Sequence, residues 1–217
     1  MISALVLDLD GPLLDGMLRH YRCYCDILEG HGYSPISLER YWDMKRNKVD
    51  RRTLLECSDA LPFYDKFLAS WIERIEARSY LKFDRLQKRV INVLSKWKER
   101  KIRLLLATMR NNPSNLAWQL DRLNIYEFFD DFVVVGGGRD SANKASAVRP
   151  KLAGLNTDQV IWVGDTEVDV DAARELGIRV CALTCGLRSR DYLLTLSPDY
   201  IEADIASFAE ETNKKHA

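Results

Sequence analysis

The chain has 217 residues, of which 47% are hydrophobic and 29% charged, and its 32 basic side chains balance 32 acidic ones. This length and apolar content suffice for one large domain, or for a domain that carries an insert. A net charge of zero gives no overall attraction to nucleic acid or to an anionic membrane, and no apolar run approaches the roughly 20 residues of a membrane span.

The five cysteines show no pair of the spacings that typify zinc sites. Asp8 interrupts the first apolar run before that run is long enough for a signal peptide. We therefore expect reduced thiols and a cytoplasmic location.

Short, continuously apolar runs predict strands. They are residues 3–7, 102–107, 132–135, 160–163 and 179–183. Helical patterns lie between them, at residues 84–100, 114–123, 142–152 and 170–176. Continuous rather than alternating apolar character is typical of strands buried on both faces of a parallel sheet. The alternation therefore predicts an α/β fold, a doubly wound, three-layer, Rossmann-like parallel sheet.

The interval 16–81 interrupts this alternation, because it contains helical patterns and no convincing strand. The predicted helices cover 17–29, 37–45, 51–57 and 62–78. We predict an α/β core domain of residues 1–15 and 82–217 and a helical cap domain of residues 16–81. Such an insert follows a strand's carboxyl end, where α/β sheets bind ligands, and this favours a lid. The alternative is a helical decoration that only enlarges the core.

Carboxylates follow two of the predicted strands. Asp8 and Asp10 follow the first, and Asp165 and Asp169 follow the strand at 160–163. If these strands are adjacent and parallel, the carboxylates meet at one edge of the sheet and repel one another. A hard divalent cation such as Mg²⁺ relieves that repulsion. The alternative is that each aspartate only caps a helix or forms a turn.

A third strand end carries Thr108 and Arg110. A hydroxyl and the backbone N–H groups of such a turn can hold a phosphate oxygen, and an arginine can bind an oxyanion through two hydrogen bonds. Thr108 is equally compatible with a helix cap, and Arg110 with a solvated surface position.

The stretch Asp8-Leu-Asp-Gly-Pro-Leu-Leu-Asp15 resembles the first motif of the haloacid dehalogenase-like hydrolases, and Gly164–Asp169 resembles their fourth. Thr108 and Lys144 occupy the positions of the second and third motifs. The insert lies where helical caps occur in the phosphoglycolate phosphatase and β-phosphoglucomutase branch. Pro12 departs from the threonine that is common there. In that family the nucleophile's strand is central, between the strands that carry the second and fourth motifs.

The resemblance implies that Asp8 is the nucleophile and that Asp10 is the general acid and base. It implies a Mg²⁺ ion held by Asp8, by the backbone carbonyl of Asp10 and by Asp165. The presence of Asp10 favours phosphoryl transfer over dehalogenation, since a halide leaves without protonation.

The resemblance also assigns Thr108 a catalytic position and makes Lys144 the bridge between nucleophile and phosphate. Lys151 is a rival for the lysine, but Lys144 lies nearer the start of its helix, after the turn at Gly136–Gly138. Asp169 then orients a metal-bound water or Lys144, and Arg110 is a possible substrate contact.

The leading hypothesis is a Mg²⁺-dependent phosphatase that hydrolyses a small phosphorylated metabolite through an aspartyl-phosphate. A phosphomutase on the same scaffold is the alternative, and a non-catalytic binding module is a third possibility. The insert's basic residues either contact an anionic substrate or form a solvated helix face; they are Arg19, His20, Arg22, Lys45, Arg46, Lys48, Arg51 and Arg52. The only partner predicted is the substrate, with neither nucleic acid nor membrane; the sequence leaves the oligomeric state open.

Overall fold

The computed structural model describes residues 2–136 and 141–214. The chain divides into two compact units, one of Met1–Asp15 with Leu86–Ala217 and the other of Gly16–Arg85. The insert predicted over residues 16–81 ends four residues before the second unit does. Among the residues described, every helix falls short of the length and apolar character that crossing a bilayer requires.

The first unit is built on a parallel sheet. The strands of the chain are β1 (Ala4–Leu7), β2 (Leu14–Asp15), β3 (Arg85–Leu86), β4 (Arg103–Thr108), β5 (Asp131–Val134), β6 (Val160–Gly164), β7 (Arg179–Leu183) and β8 (Tyr200–Glu202). Six of them form one sheet in the order β5-β4-β1-β6-β7-β8, with every neighbouring pair parallel. The first strand is therefore central, and the predicted Rossmann-like α/β class is confirmed. β2 and β3 form a separate two-stranded sheet where the chain passes between the units.

The α-helices of the chain are α1 (Met17–Glu29), α2 (Leu38–Arg46), α3 (Arg51–Glu56), α4 (Tyr64–Arg74), α5 (Arg78–Leu81), α6 (Val90–Glu99), α7 (Pro113–Arg122), α8 (Ser141–Val148), α9 (Glu167–Leu176), α10 (Arg190–Thr195) and α11 (Ile205–Lys214). Helices and strands alternate from β3 onwards, whereas α1–α5 follow one another in the segment between β2 and β3.

Several helix predictions are wrong in extent. The one over 142–152 corresponds to α8 followed by a 3₁₀ helix at Arg149–Leu152, and α9 begins at Glu167, three residues before the predicted start at residue 170. The helix predicted from residue 84 begins at Val90, after the left-handed Arg89, and the one predicted over 62–78 is divided between a 3₁₀ turn and two shorter helices.

Burial on both faces explains the continuous apolar runs. In β1, Leu5 and Leu7 belong to one hydrophobic cluster, whereas Ala4 and Val6 belong to another. Successive side chains of a strand point to opposite faces, so the two clusters lie on the two sides of the sheet. Each side chain of β1 is at most 1% exposed, and a polar residue inside this strand would lose its hydration without gaining a partner.

The helical unit has a hydrophobic core of its own. Tyr24 and Tyr41 stack with their ring centroids 4.7 Å apart, and the hydroxyls of Tyr24 and Ser58 are hydrogen bonded at 2.5 Å. At the ends of this segment Arg19 and Asp84 form a buried ion pair with a closest N–O distance of 3.1 Å. Removing one partner of such a pair typically costs about 3–5 kcal/mol, because the other charge remains buried.

Candidate active site

The carboxyl ends of the three central strands bring the predicted residues to one edge of the sheet. Leu7 of β1 is in register with Leu106 of β4 on one side and with Val163 of β6 on the other. Asp8 follows β1 directly, and its N–H donates to the carbonyl of Val163 at 2.9 Å, which extends the pairing by one residue. Thr108 ends β4, so the second motif lies beside the first, as the resemblance implies.

Lys144 joins the first and fourth motifs. Its Nζ lies 2.9 Å from Oδ1 of Asp8 and 2.7 Å from Oδ1 of Asp169. The lysine side chain is only 2% exposed. The rival Lys151 instead pairs with Asp131 at 2.8 Å, with 44% of its side chain exposed. The structure thus places Lys144, and not Lys151, against the proposed nucleophile.

Asp169 uses both of its carboxylate oxygens. Oδ1 accepts hydrogen bonds from Lys144 and from the indole Nε1 of Trp162, the latter at 3.1 Å. Oδ2 accepts from the backbone N–H groups of Asp165 and Thr166 at 3.3 and 3.2 Å and from the hydroxyl of Thr166 at 2.8 Å. Asp169 therefore caps the start of α9 and also holds Lys144. The helix cap and the contact with Lys144 are therefore not exclusive at this residue.

Asp165 presents one occupied and one open oxygen. The residue is 0% exposed, and its Oδ2 accepts from the backbone N–H of Leu187 at 2.5 Å. Its Oδ1 is buried and has no hydrogen-bond partner in the described part of the chain. Carboxylate oxygens of Asp8, Asp165 and Asp169 all lie within 4.8 Å of one another. A buried, unpaired carboxylate oxygen beside two further carboxylates is a donor set that fits a hard divalent cation.

The electrostatics of the cluster reflect its burial. Burial raises the pKa of Asp8 from 3.8 to about 7, against the opposing effect of the Lys144 ammonium and with support from the negative charge of Asp169. Burial also raises the pKa of Asp165 well above its usual value, and the charges of Asp8 and Asp169 add to this. For Lys144 burial alone lowers the pKa, but Asp169 and Asp8 outweigh it and the net shift is upward. The lysine is thus a permanent cation, and the carboxylates need further positive charge to stay ionised together.

Asp10 faces a different neighbour. Its Oδ1 accepts a hydrogen bond from Arg110 at 2.8 Å, and its side chain is 34% exposed. Arg110 is 4% exposed and also donates to Oε1 of Gln119 at 3.3 Å. The solvated alternative for Arg110 is therefore wrong. Thr108 is 1% exposed, and its carbonyl accepts from the N–H of Val135 at 3.0 Å.

The turn predicted at Gly136–Gly138 extends beyond the described residues, which stop at Gly136 and resume at Ser141. The residues Arg139 and Asp140, which precede Lys144 in the chain, also lie outside them.

Two contributors to the cluster, Trp162 and the backbone of Leu187, lie outside the set of site residues predicted from the sequence. Trp162 reaches Asp169 from inside β6, and its signal was an indole in an otherwise aliphatic strand, since a buried indole N–H usually has a partner. The backbone N–H of Leu187 contacts Asp165 from 22 residues further along the chain. No pattern in the sequence marks that contact, because a backbone donor carries no residue signature.

The match to a family model defines the class of the protein. The model of the haloacid dehalogenase-like hydrolases matches residues 2–177, and the chain belongs to this family. In its sheet, β1, which precedes Asp8, lies between β4 and β6, the strands that lead to Thr108 and Asp165, and this order agrees with that membership.

Individual proteins of known name or structure are also similar to this chain. The phosphoglycolate phosphatase of Synechococcus elongatus is 25% identical over 202 residues, which cover 92% of each chain. That of Rhodobacter capsulatus is 24% identical over 195 residues, which cover 87% of each. A solved haloacid dehalogenase-like family protein of Streptococcus pneumoniae superposes with a TM-score of 0.75 at 23% identity, over 97% of this chain and 98% of that one. The predicted enzyme class, a phosphatase of the haloacid dehalogenase-like family, is confirmed.

Proposed function

We propose that the chain is a Mg²⁺-dependent phosphatase that hydrolyses a small phosphorylated metabolite through an aspartyl-phosphate on Asp8. The observation that carries the proposal is the pairing of Asp8 with Lys144, beside the open, buried Oδ1 of Asp165. A nucleophilic carboxylate next to a buried cation is equipped to approach a phosphate dianion.

The residues that would hold the ion are Asp8, Asp165 and the backbone carbonyl of Asp10. When bound, Mg²⁺ supplies positive charge that offsets both the carboxylates and the phosphate oxygens. The donor set fits, because burial and the neighbouring carboxylates raise the pKa values of Asp8 and Asp165 even with Lys144 beside Asp8, so further positive charge would favour their ionised forms.

The chain's own side chains account for the remaining steps. Asp8 attacks phosphorus in line with the ester oxygen, and Lys144 neutralises charge on the transferred group. Asp10 donates a proton to the leaving oxygen and afterwards takes one from the attacking water, a role typically worth about 10²–10⁴ in rate. Arg110, at 2.8 Å from Asp10, holds that carboxylate in place and offers a further cationic contact for the substrate.

The relatives indicate which substrate to test first. Because the Synechococcus elongatus and Rhodobacter capsulatus relatives are phosphoglycolate phosphatases, 2-phosphoglycolate is the first substrate to test. The helical unit remains our proposed lid, and the cytoplasmic location remains a prediction.

The test is phosphate release from a panel of phosphate monoesters that includes 2-phosphoglycolate and β-glucose 1-phosphate. We expect inorganic phosphate with Mg²⁺, none with EDTA, and none from the Asp8→Asn variant. Isomerisation of glucose 1-phosphate without phosphate release would replace hydrolysis by the phosphomutase alternative. No turnover on the whole panel would favour the binding module.

A further inference from the structure

The loop between β7 and α10 closes directly onto Asp165. The backbone N–H of Leu187 donates to Oδ2 of Asp165 at 2.5 Å. At Gly186 an added Cβ would lie 2.1 Å from the same oxygen, so the backbone approaches the carboxylate more closely than any side chain would allow. This contact occupies Oδ2. Oδ1 has no hydrogen-bond partner in the described part of the chain and is left as the oxygen that could bind a metal ion.

An ion pair links the residues next to this contact. Arg188, directly after Leu187, places Nε 2.8 Å from Oε2 of Glu167 and a terminal nitrogen 2.9 Å from Oε1. Glu167 is the first residue of α9 and lies two residues after Asp165. The pair is largely buried, with side-chain exposures of 12% and 19%. Two parallel hydrogen bonds between an arginine and a carboxylate fix the relative orientation of the two side chains as well as the distance between them.

A second tie holds the other end of the loop. Nε2 of Gln87 donates to the carbonyl of Gly11 at 3.1 Å and to the carbonyl of Cys185 at 3.4 Å. The thiol of Cys185 also donates to the carbonyl of Gly11 at 3.5 Å. The loop is thus attached at Cys185 to the turn that follows Asp10, and at Arg188 to the start of α9.

We propose that Arg188 and Glu167 are positioning residues for the metal site. Their ion pair holds the Leu187 N–H against Oδ2 of Asp165, and this would keep Oδ1 available to hold a cation. Neither side chain touches the reacting atoms in this role. The inference rests on the proposed function, because it assumes that Asp165 is a metal ligand. Partners that orient a metal ligand typically contribute about 10- to 100-fold to metal affinity.

The test measures metal binding directly on the full chain. Protein stripped of metal is titrated with Mg²⁺ in a calorimeter and with Mn²⁺ by electron paramagnetic resonance. We expect Arg188→Gln and Glu167→Gln each to weaken binding by about 10- to 100-fold. The double variant should bind no more weakly than the weaker single variant, since both changes remove one interaction. Arg188→Lys keeps the positive charge but cannot make both hydrogen bonds to the carboxylate of Glu167, so we expect an intermediate affinity for the metal ions.

Arg103→Gln is the matched control. Arg103 pairs with Asp131 at 2.5 Å at the beginning of β4, with 35% and 18% of the two side chains exposed. Thermal unfolding of all variants separates general destabilisation from a change in the site. The inference is overturned if Arg188→Gln binds both ions as the wild type does, or if Arg103→Gln loses as much affinity. If the wild-type protein binds neither Mg²⁺ nor Mn²⁺, the proposed metal site itself is refuted. If the wild type binds these ions and the variants bind them equally well, only the role of Arg188 and Glu167 is refuted.

Discussion

Without metal, the protein should lose stability as the pH rises from about 4 to about 7, and Asp8 should be a main cause. Burial raises the pKa of Asp8 from 3.8 to about 7 in the folded chain. In the unfolded chain the carboxyl returns to its ordinary pKa. Between these two values the folded state binds a proton that the unfolded state has lost, so the free energy of unfolding falls with increasing pH. The contribution is complete below pH 4 and is lost as the pH passes 7.

The size of the effect follows from the shift. A difference of about three pKa units at about 1.4 kcal/mol per unit corresponds to on the order of 4 kcal/mol. Since the side chain of Asp8 is only 12% exposed, solvent screens little of this energy. The permanent charge of Lys144 is already included, because it lowers the pKa of Asp8 against the effect of burial.

The assay is urea unfolding in EDTA at several pH values, for the wild type and for Asp8→Asn. The asparagine has nearly the same volume and does not ionise, so the variant should become more stable relative to the wild type as the pH rises. Mg²⁺ at pH 8 should restore the wild type and have little effect on the variant. Parallel pH profiles of the free energy of unfolding for the two proteins would refute the reasoning. They would mean that the pKa of Asp8 is the same in the folded and unfolded states.

Three further predictions concern the same cluster. Trp162→Phe removes the N–H group that donates to Asp169 and leaves a smaller ring in a fully buried position. It should lower the free energy of unfolding by about 1–3 kcal/mol and reduce kcat, as measured by urea unfolding and initial rates. Unchanged values for both would contradict the contact. Gly164→Ala adds a Cβ that would lie 2.2 Å from Cβ of Asp169, so Asp169 must move. We expect the free energy of unfolding to fall by about 1–3 kcal/mol and most of the activity to be lost, as measured by urea unfolding and initial rates. Normal activity would argue against a role for Asp169. Asp10→Asn should slow the hydrolysis of alkyl phosphates far more than that of aryl phosphates, whose leaving groups need no proton; equal losses would argue against proton donation.

The architecture of the sheet could be predicted because the strands are marked locally. A run such as Leu5–Leu7 is apolar at every position, which is typical of a strand covered on both faces, and its residues are at most 1% exposed. The predicted and observed bounds agree for β7, differ by one residue at one end for β1 and β6, and differ by one residue at both ends for β4 and β5. β8 was missed because Tyr200–Glu202 is short and only half-buried at the edge of the sheet. Its pairing with β7 stabilises it, and that pairing is not encoded locally.

For the candidate site, too, some features could be predicted from local sequence and others depend on the tertiary structure. The sequence alone determined where buried strands end in carboxylates, and thus Asp8 and Asp165, because local burial and the order of residue types suffice for that. Only the tertiary structure decided that Lys144 meets Asp8 across 136 positions, that Arg110 meets Asp10 across 100, and that the Leu187 backbone closes on Asp165. Such contacts depend on how elements pack and on backbone donors that every non-proline residue possesses, so no local pattern distinguishes them.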